Sequence, residues 1–191
     1  MFSLQGNLIF ITIDQAYLKY LHDFCGEVHY KPAGYENKPY IGILLGKDGA
    51  QYAIPLSSAK EKHRSWRNIE ADRLLIYENC QKDVLSHKAV YTENADGTVK
   101  HILSVIDLKK MIPIKDGLYK KVDLTGNPAD SAEARNYKNL MNKEYSFCLK
   151  ILGSVLQKAG KLYGKQRTTG KIIKFCCDFA LLEEKCDAYT I

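Results

Sequence analysis

The sequence predicts an α+β fold: a strongly twisted, mostly antiparallel β-sheet that forms a partial barrel, packed with several helices, the longest in the C-terminal third. Before residue 124, short apolar runs with a period of two are separated by turns that contain glycine, which is typical of β-hairpins. From Ala129 onward the period changes to 3.6, which indicates helices. Because the chain has 191 residues, we expect a single domain over residues 1–191.

The N-terminal part of the chain begins with a strand, a helix and a hairpin. Residues 8–13 are predicted to form a strand, and Asp14 is expected to cap the short helix that follows. The expected apolar face of this helix consists of Tyr17, Leu18, Leu21 and Phe24. A loop rich in Gly, Pro and Lys covers residues 26–38. The apolar runs 40–45 and 51–56 flank a glycine-containing turn and therefore predict a hairpin.

Short strands and then helices follow the hairpin. The predicted strands are residues 74–77, 89–91, 99–108, 111–114 and 118–124. The predicted helical face, on one long helix or two consecutive helices, consists of Tyr137, Leu140, Met141, Tyr145, Cys148, Ile151, Leu152, Val155, Leu156 and Leu162. Gly170 interrupts the helical pattern, and Asp178 is expected to begin a last helix.

The charge of the chain is consistent with a polyanionic partner. Lys and Arg number 28 against 22 Asp and Glu, which gives a net charge of +6 and a sequence pI near 8.9. A basic groove would attract RNA, whereas ordinary solubility is the alternative explanation of the excess. The candidate RNA-binding cations crowd two regions: Lys109, Lys110, Lys115, Lys120 and Lys121 around Tyr119, and the segment 158–174 with Lys171 and Lys174. The 13 tyrosines offer stacking surfaces for unpaired bases.

Several classes of protein are not expected. The apolar runs are shorter than a membrane span, and the N-terminus lacks the pattern of a secretory signal, so we expect a cytoplasmic protein. The six cysteines form no C-x-x-C pair and are expected to be reduced. Because the five histidines show no metal-ligand spacing, no metal site is expected. No P-loop or G-x-G-x-x-G follows a strand, so no cofactor is expected.

Polar side chains collect at the end of the second hairpin strand. Ser57 and Ser58 are followed by Lys60, Lys62 and His63, a set that suits a phosphate group. If a helix begins at Ser58, its first backbone amides would point at that phosphate. The alternative is a capping box between Ser58 and Glu61, with the lysines on a solvated helix face.

A series of motifs extends over nearly the whole chain in a shared order. The series consists of 17–21 (YLKYL), Tyr35, Asn37-Lys38, the hairpin with Ser57-Ser58-x-Lys60, 107–114 (DLKKMIPI), Tyr137-Lys138 and 177–185 (CDFALLEEK). In this order the motifs resemble the ToxN/AbiQ family, the endoribonuclease toxins of type III toxin–antitoxin systems. The resemblance implies a small barrel-like fold. It also assigns catalytic roles to Lys38, Ser57, Ser58 and, approximately, Tyr35, and places Tyr137 and Lys138 near the substrate, whereas a catalytic role for Lys60 rests on its position in the hairpin.

Helical periodicity alone gives a different interpretation of the Tyr137-Lys138 pair, with Tyr137 in the core and Lys138 in solvent.

The positions of two lysines on the hairpin favour cleavage chemistry. Lys38 and Lys60 lie at the two ends of one hairpin, so antiparallel pairing would bring their segments to the same edge of the sheet. Two ammonium groups there could neutralise a phosphorane and lower each other's pKa.

RNA cleavage without a metal ion can use the substrate's own 2′-hydroxyl as nucleophile, leaving a 2′,3′-cyclic phosphate and a 5′-hydroxyl. No protein nucleophile is needed for this reaction. Ser57 and Ser58 are therefore interpreted as hydrogen-bond donors to the scissile phosphate. A serine nucleophile activated by His63 is the weaker alternative, because no reliable Ser-His-Asp set surrounds it.

The resemblance also implies partners. Family members process a tandem-repeat precursor of a small pseudoknot-type antitoxin RNA, remain bound to it in a cyclic protein–RNA hetero-oligomer, and are inhibited until phage infection or stress releases them to cleave cellular mRNA. Neither DNA nor a membrane is an expected partner. The residues themselves leave two further functions open, a non-catalytic RNA-binding module and a structural or protein-binding domain.

Overall fold

The computed structural model describes residues 2–33, 38–46 and 49–190. The strands are β1 (Ser3–Ile13), β2 (Tyr40–Leu45), β3 (Gln51–Ser58), β4 (Arg73–Cys80), β5 (Val90–Glu93), β6 (Val99–Asp107), β7 (Ile112–Ile114) and β8 (Tyr119–Lys121). The α-helices are α1 (Gln15–Phe24), α2 (Ala132–Thr169) and α3 (Phe179–Ala188). Short 3₁₀ helices cover Glu61–Ser65, Lys82–Val84 and Leu108–Lys110.

The strands form one antiparallel sheet that does not close into a barrel. Its main path runs β4-β6-β3-β2-β1-β8, with β5 added beside β6 and β7 beside β3. On the side away from β2, strand β3 pairs with two different strands. Its first residues pair with β7 and its last three pair with β6. The expected α+β class and antiparallel pairing are confirmed, including the long helix in the C-terminal third.

Local signals fix the helix ends as expected. The Asp14 carboxylate accepts the Tyr17 amide at 2.9 Å, and the Asp178 carboxylate accepts the Leu181 amide at 3.1 Å, so both acidic residues cap their helices. Ser131 caps α2, and Gly170 ends it in the left-handed conformation with φ of 64°. The helical pattern after Ala129 therefore forms one long helix rather than two.

The main core joins residues of the sheet and of the three helices. Its largest fully buried side chains include Tyr17, Tyr40, Tyr52, Phe10 and Phe179. The Tyr17 hydroxyl donates to the Pro113 carbonyl at 2.9 Å, which satisfies its polar atom inside the core. A smaller cluster of Leu75, Val90, Ile102 and Val105 joins β4, β5 and β6. The expectation of a single domain remains a prediction.

Three expectations about local structure are wrong. Phe24 is 48% exposed and does not join the buried face of α1, because it lies at the last position of that helix. Tyr137 and Leu140 are exposed, since the core contacts of α2 begin one turn later at Met141. No helix begins at Ser58: this residue continues β3 opposite Ser104, and the following 3₁₀ helix starts only at Glu61.

Strand bounds also differ from the expectations. The first strand begins at Ser3 rather than at residue 8, and the last one ends at Lys121 rather than at residue 124. Among the described residues, no helix is long and apolar enough to span a membrane.

Gly42 tests how tightly β1 and β2 pack. A Cβ atom at this position would lie 2.6 Å from Cδ1 and 3.1 Å from Cγ1 of the buried Ile11 side chain. We expect Gly42→Ala to lower the free energy of unfolding by about 1–3 kcal/mol, as overpacking does. Adding Ile11→Val removes Cδ1, so the double variant should be more stable than the sum of the single changes predicts.

Gly153 supplies the matched control, because a Cβ atom there meets nothing within 4 Å in the middle of α2. Gly153→Ala should raise the free energy of unfolding by about 0.5–1 kcal/mol. Urea unfolding of the four variants measures both effects. Additive changes at Gly42 and Ile11 would contradict the predicted contact.

Candidate active site

The end of β3 lacks one ladder hydrogen bond. The register pairs Tyr40 with Pro55, so the next antiparallel pair is Pro39 with Leu56. The Leu56 amide donates to the Pro39 carbonyl at 3.0 Å, but proline has no N–H with which to return the bond. The Lys38 ammonium takes its place and donates to the Leu56 carbonyl at 2.8 Å.

This contact brings Lys38 to the serine pair. Its Nζ lies 3.5 Å from the Ser57 hydroxyl oxygen, and the Ser57 side chain is half-buried. Ser58 is exposed, and successive side chains of a strand point to opposite faces. The two hydroxyls therefore flank the end of β3, with Ser57 on the Lys38 side.

The surroundings of Lys38 lower its basicity. Burial, together with the positive charges of Lys60 and Lys31, lowers the pKa of the Lys38 amine to about 8, although the Asp107 carboxylate opposes the shift. Burial in turn raises the pKa of the Asp107 carboxyl, although Lys109 and Lys110 favour its charged form. Near neutral pH, Lys38 therefore has an appreciable neutral fraction and can exchange a proton.

His63 holds the Lys60 segment rather than facing solvent. It is 4% exposed, and its Nδ1 accepts the Lys60 backbone amide at 3.0 Å. The imidazole also packs on Trp66 with ring centroids 4.3 Å apart. The Arg73 guanidinium lies over the Trp66 ring at 3.9 Å. Buried contacts therefore fix the backbone from which the exposed Lys60 side chain extends.

Sequence reasoning missed His29. Its Nδ1 is buried and has no hydrogen-bond partner among the described residues. Burial and the charges of Lys38, Lys110 and Lys60 lower the pKa of His29 to about 3, so the imidazole is neutral at physiological pH. No motif or spacing in the sequence indicates His29, because it lies in an irregular loop and only the tertiary structure brings it to these lysines. Tyr35 lies outside the described residues.

Several predicted RNA-binding cations already have partners. Lys109 pairs with Asp72 at 3.0 Å, Lys110 pairs with Glu27, and Lys138 pairs with Asp130 at 2.9 Å. Lys115 donates to the Tyr189 carbonyl. Lys62, Lys120, Lys121, Lys171 and Lys174 have exposed side chains, as does Tyr137, whereas Tyr119 is half-buried and bonds Asp116.

The structure does not bring all of these residues together. Strand β8, with Tyr119, Lys120 and Lys121, is separated from β3 by β2 and β1. Three strand spacings place it about 14 Å from the serine pair. A second group of lysines lies elsewhere: Lys158, Lys161 and Lys165 of α2 line a cleft of about 620 Å³ with Arg73 and Ile173.

Glu78, Cys80 and His101 form a possible set of metal ligands. Their ligand atoms lie within 4.8 Å of one another on the paired strands β4 and β6. The spacing of these residues in sequence gives no such signal, because the set depends on the strand register. The Lys143 ammonium bonds Glu78 at 2.9 Å and would compete with a metal ion for that carboxylate. The absence of a functional metal remains a prediction.

Comparison with known proteins identifies the family. The model of the ToxN toxin of type III toxin–antitoxin systems matches residues 9–187. The chain belongs to the ToxN family. It is 28% identical to the endoribonuclease ToxN of Bacillus thuringiensis subsp. kurstaki, over 97% of this chain and 86% of that protein. The expected family and enzyme class, an endoribonuclease, are thereby confirmed.

Two solved structures are similar over 96% of this chain at 25% identity. One, with a TM-score of 0.71 and 98% of its chain covered, is from a study of selective toxin inhibition by a non-coding RNA pseudoknot in type III systems. The other, with a TM-score of 0.69 and 99% of its chain covered, is from a study of a bacterial antiviral system regulated by a processed non-coding RNA.

The basicity of Lys38 can be measured directly. In protein labelled with ¹³C at the lysine side chains, we expect one resonance to titrate near pH 8, and Lys38→Met should remove it. In Pro39→Ala a backbone amide can donate to Leu56, so Lys38 loses an acceptor of its charged form and its pKa should fall further. If every lysine titrates near 10.4, the proposed burial of Lys38 is contradicted.

Proposed function

We propose that this ToxN-family chain cleaves RNA without a metal ion, by attack of the substrate's 2′-hydroxyl on the adjacent phosphorus. The products are a 2′,3′-cyclic phosphate and a 5′-hydroxyl. The observation that carries the proposal is the position of Lys38, half-buried beside Ser57 and held by the Leu56 carbonyl at 2.8 Å. A group with a pKa of about 8 in this position can accept a proton and still stabilise negative charge.

In this mechanism the neutral Lys38 amine removes the proton of the 2′-hydroxyl. The resulting ammonium then remains beside the negatively charged phosphorane, and the departing 5′-oxygen takes its proton from solvent water, which gives the 5′-hydroxyl end. A low pKa is required for the first step, because a lysine with an ordinary pKa of about 10.4 is almost entirely protonated at neutral pH. Burial and the charges of Lys60 and Lys31 support this assignment.

Donors to the phosphorane oxygens would come from the end of β3 and the following turn. We assign this role to the Ser57 and Ser58 hydroxyls and to the Lys60 ammonium, whose backbone His63 holds. Ser57 would contact the phosphate from the Lys38 side, and the exposed Ser58 would contact it from the other side of the strand end. Tyr35 keeps its family assignment as an active-site residue.

We further propose that the physiological partner is a small pseudoknot-type antitoxin RNA, processed by the chain from its own tandem-repeat precursor. The bound RNA would fill the active site and inhibit cleavage of cellular mRNA until phage infection releases the toxin. The studies of both similar structures, which concern toxin inhibition by an RNA pseudoknot and regulation by a processed non-coding RNA, support this partner. The lysines of the α2 cleft support a second basic surface, which a closed protein–RNA assembly needs.

The chemistry predicts metal independence. Cleavage should continue in excess EDTA, and a 2′-deoxynucleotide immediately 5′ of the scissile phosphate should abolish it, because the nucleophile is then missing. Mass spectrometry of the products should show cyclic phosphate ends. Cleavage of the deoxy substrate, or dependence on a divalent ion, would contradict the mechanism, and binding without any cleavage would favour the non-catalytic RNA-binding module.

Substitutions test the assigned roles. Lys38→Met should reduce single-turnover cleavage by about 100-fold or more, because it removes both a base and a charge. Ser58→Ala should reduce it by a similar factor, with little change in the urea midpoint, since Ser58 is exposed and caps no helix. In the unmodified protein the rate should rise with pH and level off above about 8, as Lys38 becomes neutral.

Lys88→Met and Ser65→Ala serve as controls, because both residues are exposed and lie outside the assigned site. Each should leave the rate unchanged. A Lys38→Met protein that keeps the activity and pH profile of the unmodified protein would exclude Lys38 as the base.

A further inference from the structure

The segment from Gly170 to Cys177 is held in one conformation between two helices. The buried Gln166 side chain donates to the Cys177 carbonyl at 3.0 Å and accepts the Phe179 amide at 2.7 Å. The Cys177 amide donates to the Lys109 carbonyl at 2.8 Å, which attaches the segment to the turn after Asp107. These hydrogen bonds attach the C-terminal end of the segment to α2 and to the 3₁₀ helix Leu108–Lys110.

Phe175 is presented outward by this fixed segment. Among the described residues it is the only non-glycine with a positive φ, at 64°, and its side chain is 57% exposed. A left-handed conformation is unfavourable for a residue with a large side chain. An aromatic ring that stays in solvent also contributes little hydrophobic stabilisation to the fold. Two unfavourable features at one residue, held by buried contacts, indicate that the ring has a function outside the core.

The surroundings of Phe175 suit a nucleotide. The Lys174 ammonium lies 4.9 Å from the centre of the ring, and the Lys171 side chain is also exposed. Ile173 of the same segment lines the basic cleft of α2, whereas Cys177 touches the turn beside Asp107. Phe175 therefore belongs to the segment that connects the second basic surface to the turn beside Asp107.

We propose that Phe175 is a stacking platform for an unpaired base of the bound RNA, with Lys174 contacting an adjacent phosphate. This proposal rests on the proposed function, since it requires an RNA ligand. An aromatic ring beside a cation is the usual construction for single-stranded RNA, because every base has a face that can stack. The side chain is 57% exposed, so a base splayed out of its own stack can reach it.

The test compares Phe175→Trp, Phe175→Asn and Lys174→Ala by fluorescence anisotropy with random-sequence 12-nucleotide 2′-fluoro RNA, which lacks the attacking hydroxyl. Phe175→Trp should keep the affinity of the unmodified protein. Phe175→Asn should bind roughly tenfold more weakly, with an unchanged slope of affinity against salt, because stacking involves no counterions. Lys174→Ala should reduce that slope by about 0.7.

The urea midpoint of Phe175→Asn distinguishes a role of Phe175 in RNA binding from a role in the stability of the fold. Asparagine tolerates a positive φ better than phenylalanine, so the urea midpoint of Phe175→Asn should stay the same or rise while its RNA affinity falls. Val84→Asn is the matched control, because Val84 is 70% exposed on another part of the surface, and its affinity should not change. Loss of affinity only together with loss of stability would overturn the proposal.

Two other results would also overturn it. Unchanged RNA affinity of Phe175→Asn would exclude the platform, whether or not the unmodified protein cleaves natural RNA. A change in the oligomeric state of Phe175→Asn by sedimentation, with unchanged RNA affinity, would instead identify the ring as a contact between copies of the chain. Conversely, weaker RNA binding by Phe175→Asn in a protein that cleaves nothing would leave the platform standing and refute the cleavage proposal.

Discussion

The missing amide proton of Pro39 is the constraint on which the site depends. A regular antiparallel pair would close two hydrogen bonds between Pro39 and Leu56, but only one can form. A buried carbonyl without a donor is unfavourable, and so is a buried ammonium without an acceptor. The contact between Lys38 and Leu56 resolves both, and it fixes a cation at the one place where β3 leaves β2 and pairs with β6.

Several charged groups lie close enough to Lys38 to affect one another's pKa. The Lys38 ammonium donates to the neutral Leu56 carbonyl, a bond that does not itself cancel its charge. Asp107 lies near enough to affect its pKa, but the positive charges of Lys109 and Lys110 act on the same carboxyl. His29 stays neutral under the same positive field. The result is a small region in which positive charges lie close together and the Lys38 amine can exchange a proton, which suits a phosphorane-forming reaction.

Much of the fold follows from short-range signals in the sequence. The hairpin of β2 and β3, the Asp14 and Asp178 caps and the end of α2 at Gly170 all depend on residues within a few positions, and all three are predicted correctly. The helix expected at Ser58 fails because a long-range partner, Ser104 of β6, keeps Ser58 in the sheet. The exposure of Tyr137 likewise depends on where the buried contacts of α2 begin, at Met141, which no periodicity reveals.

The candidate site is predictable only in part, because some of its residues come together through contacts that are distant in sequence. Lys38, Ser57 and Lys60 lie on one hairpin, and pairing within that hairpin brings their segments together. His29 and Asp107 reach the site through loop and strand contacts distant in sequence, so composition and spacing do not identify them. Clusters of lysines in the sequence also do not reveal ion pairs: Lys109, Lys110 and Lys138, which are predicted to bind RNA, each pair with a carboxylate.

A surface for a polyanion depends on cations whose charge is not already compensated. Lys158, Lys161 and Lys165 form no ion pair with any residue that the structure describes, and they recur at intervals of three and four along one face of α2. Releasing counterions from such lysines on RNA binding is favourable, whereas a paired lysine must first lose its carboxylate. The pattern of pairing, rather than the net charge of +6, is therefore the better guide to which cations of the proposed RNA-binding surface would contact RNA.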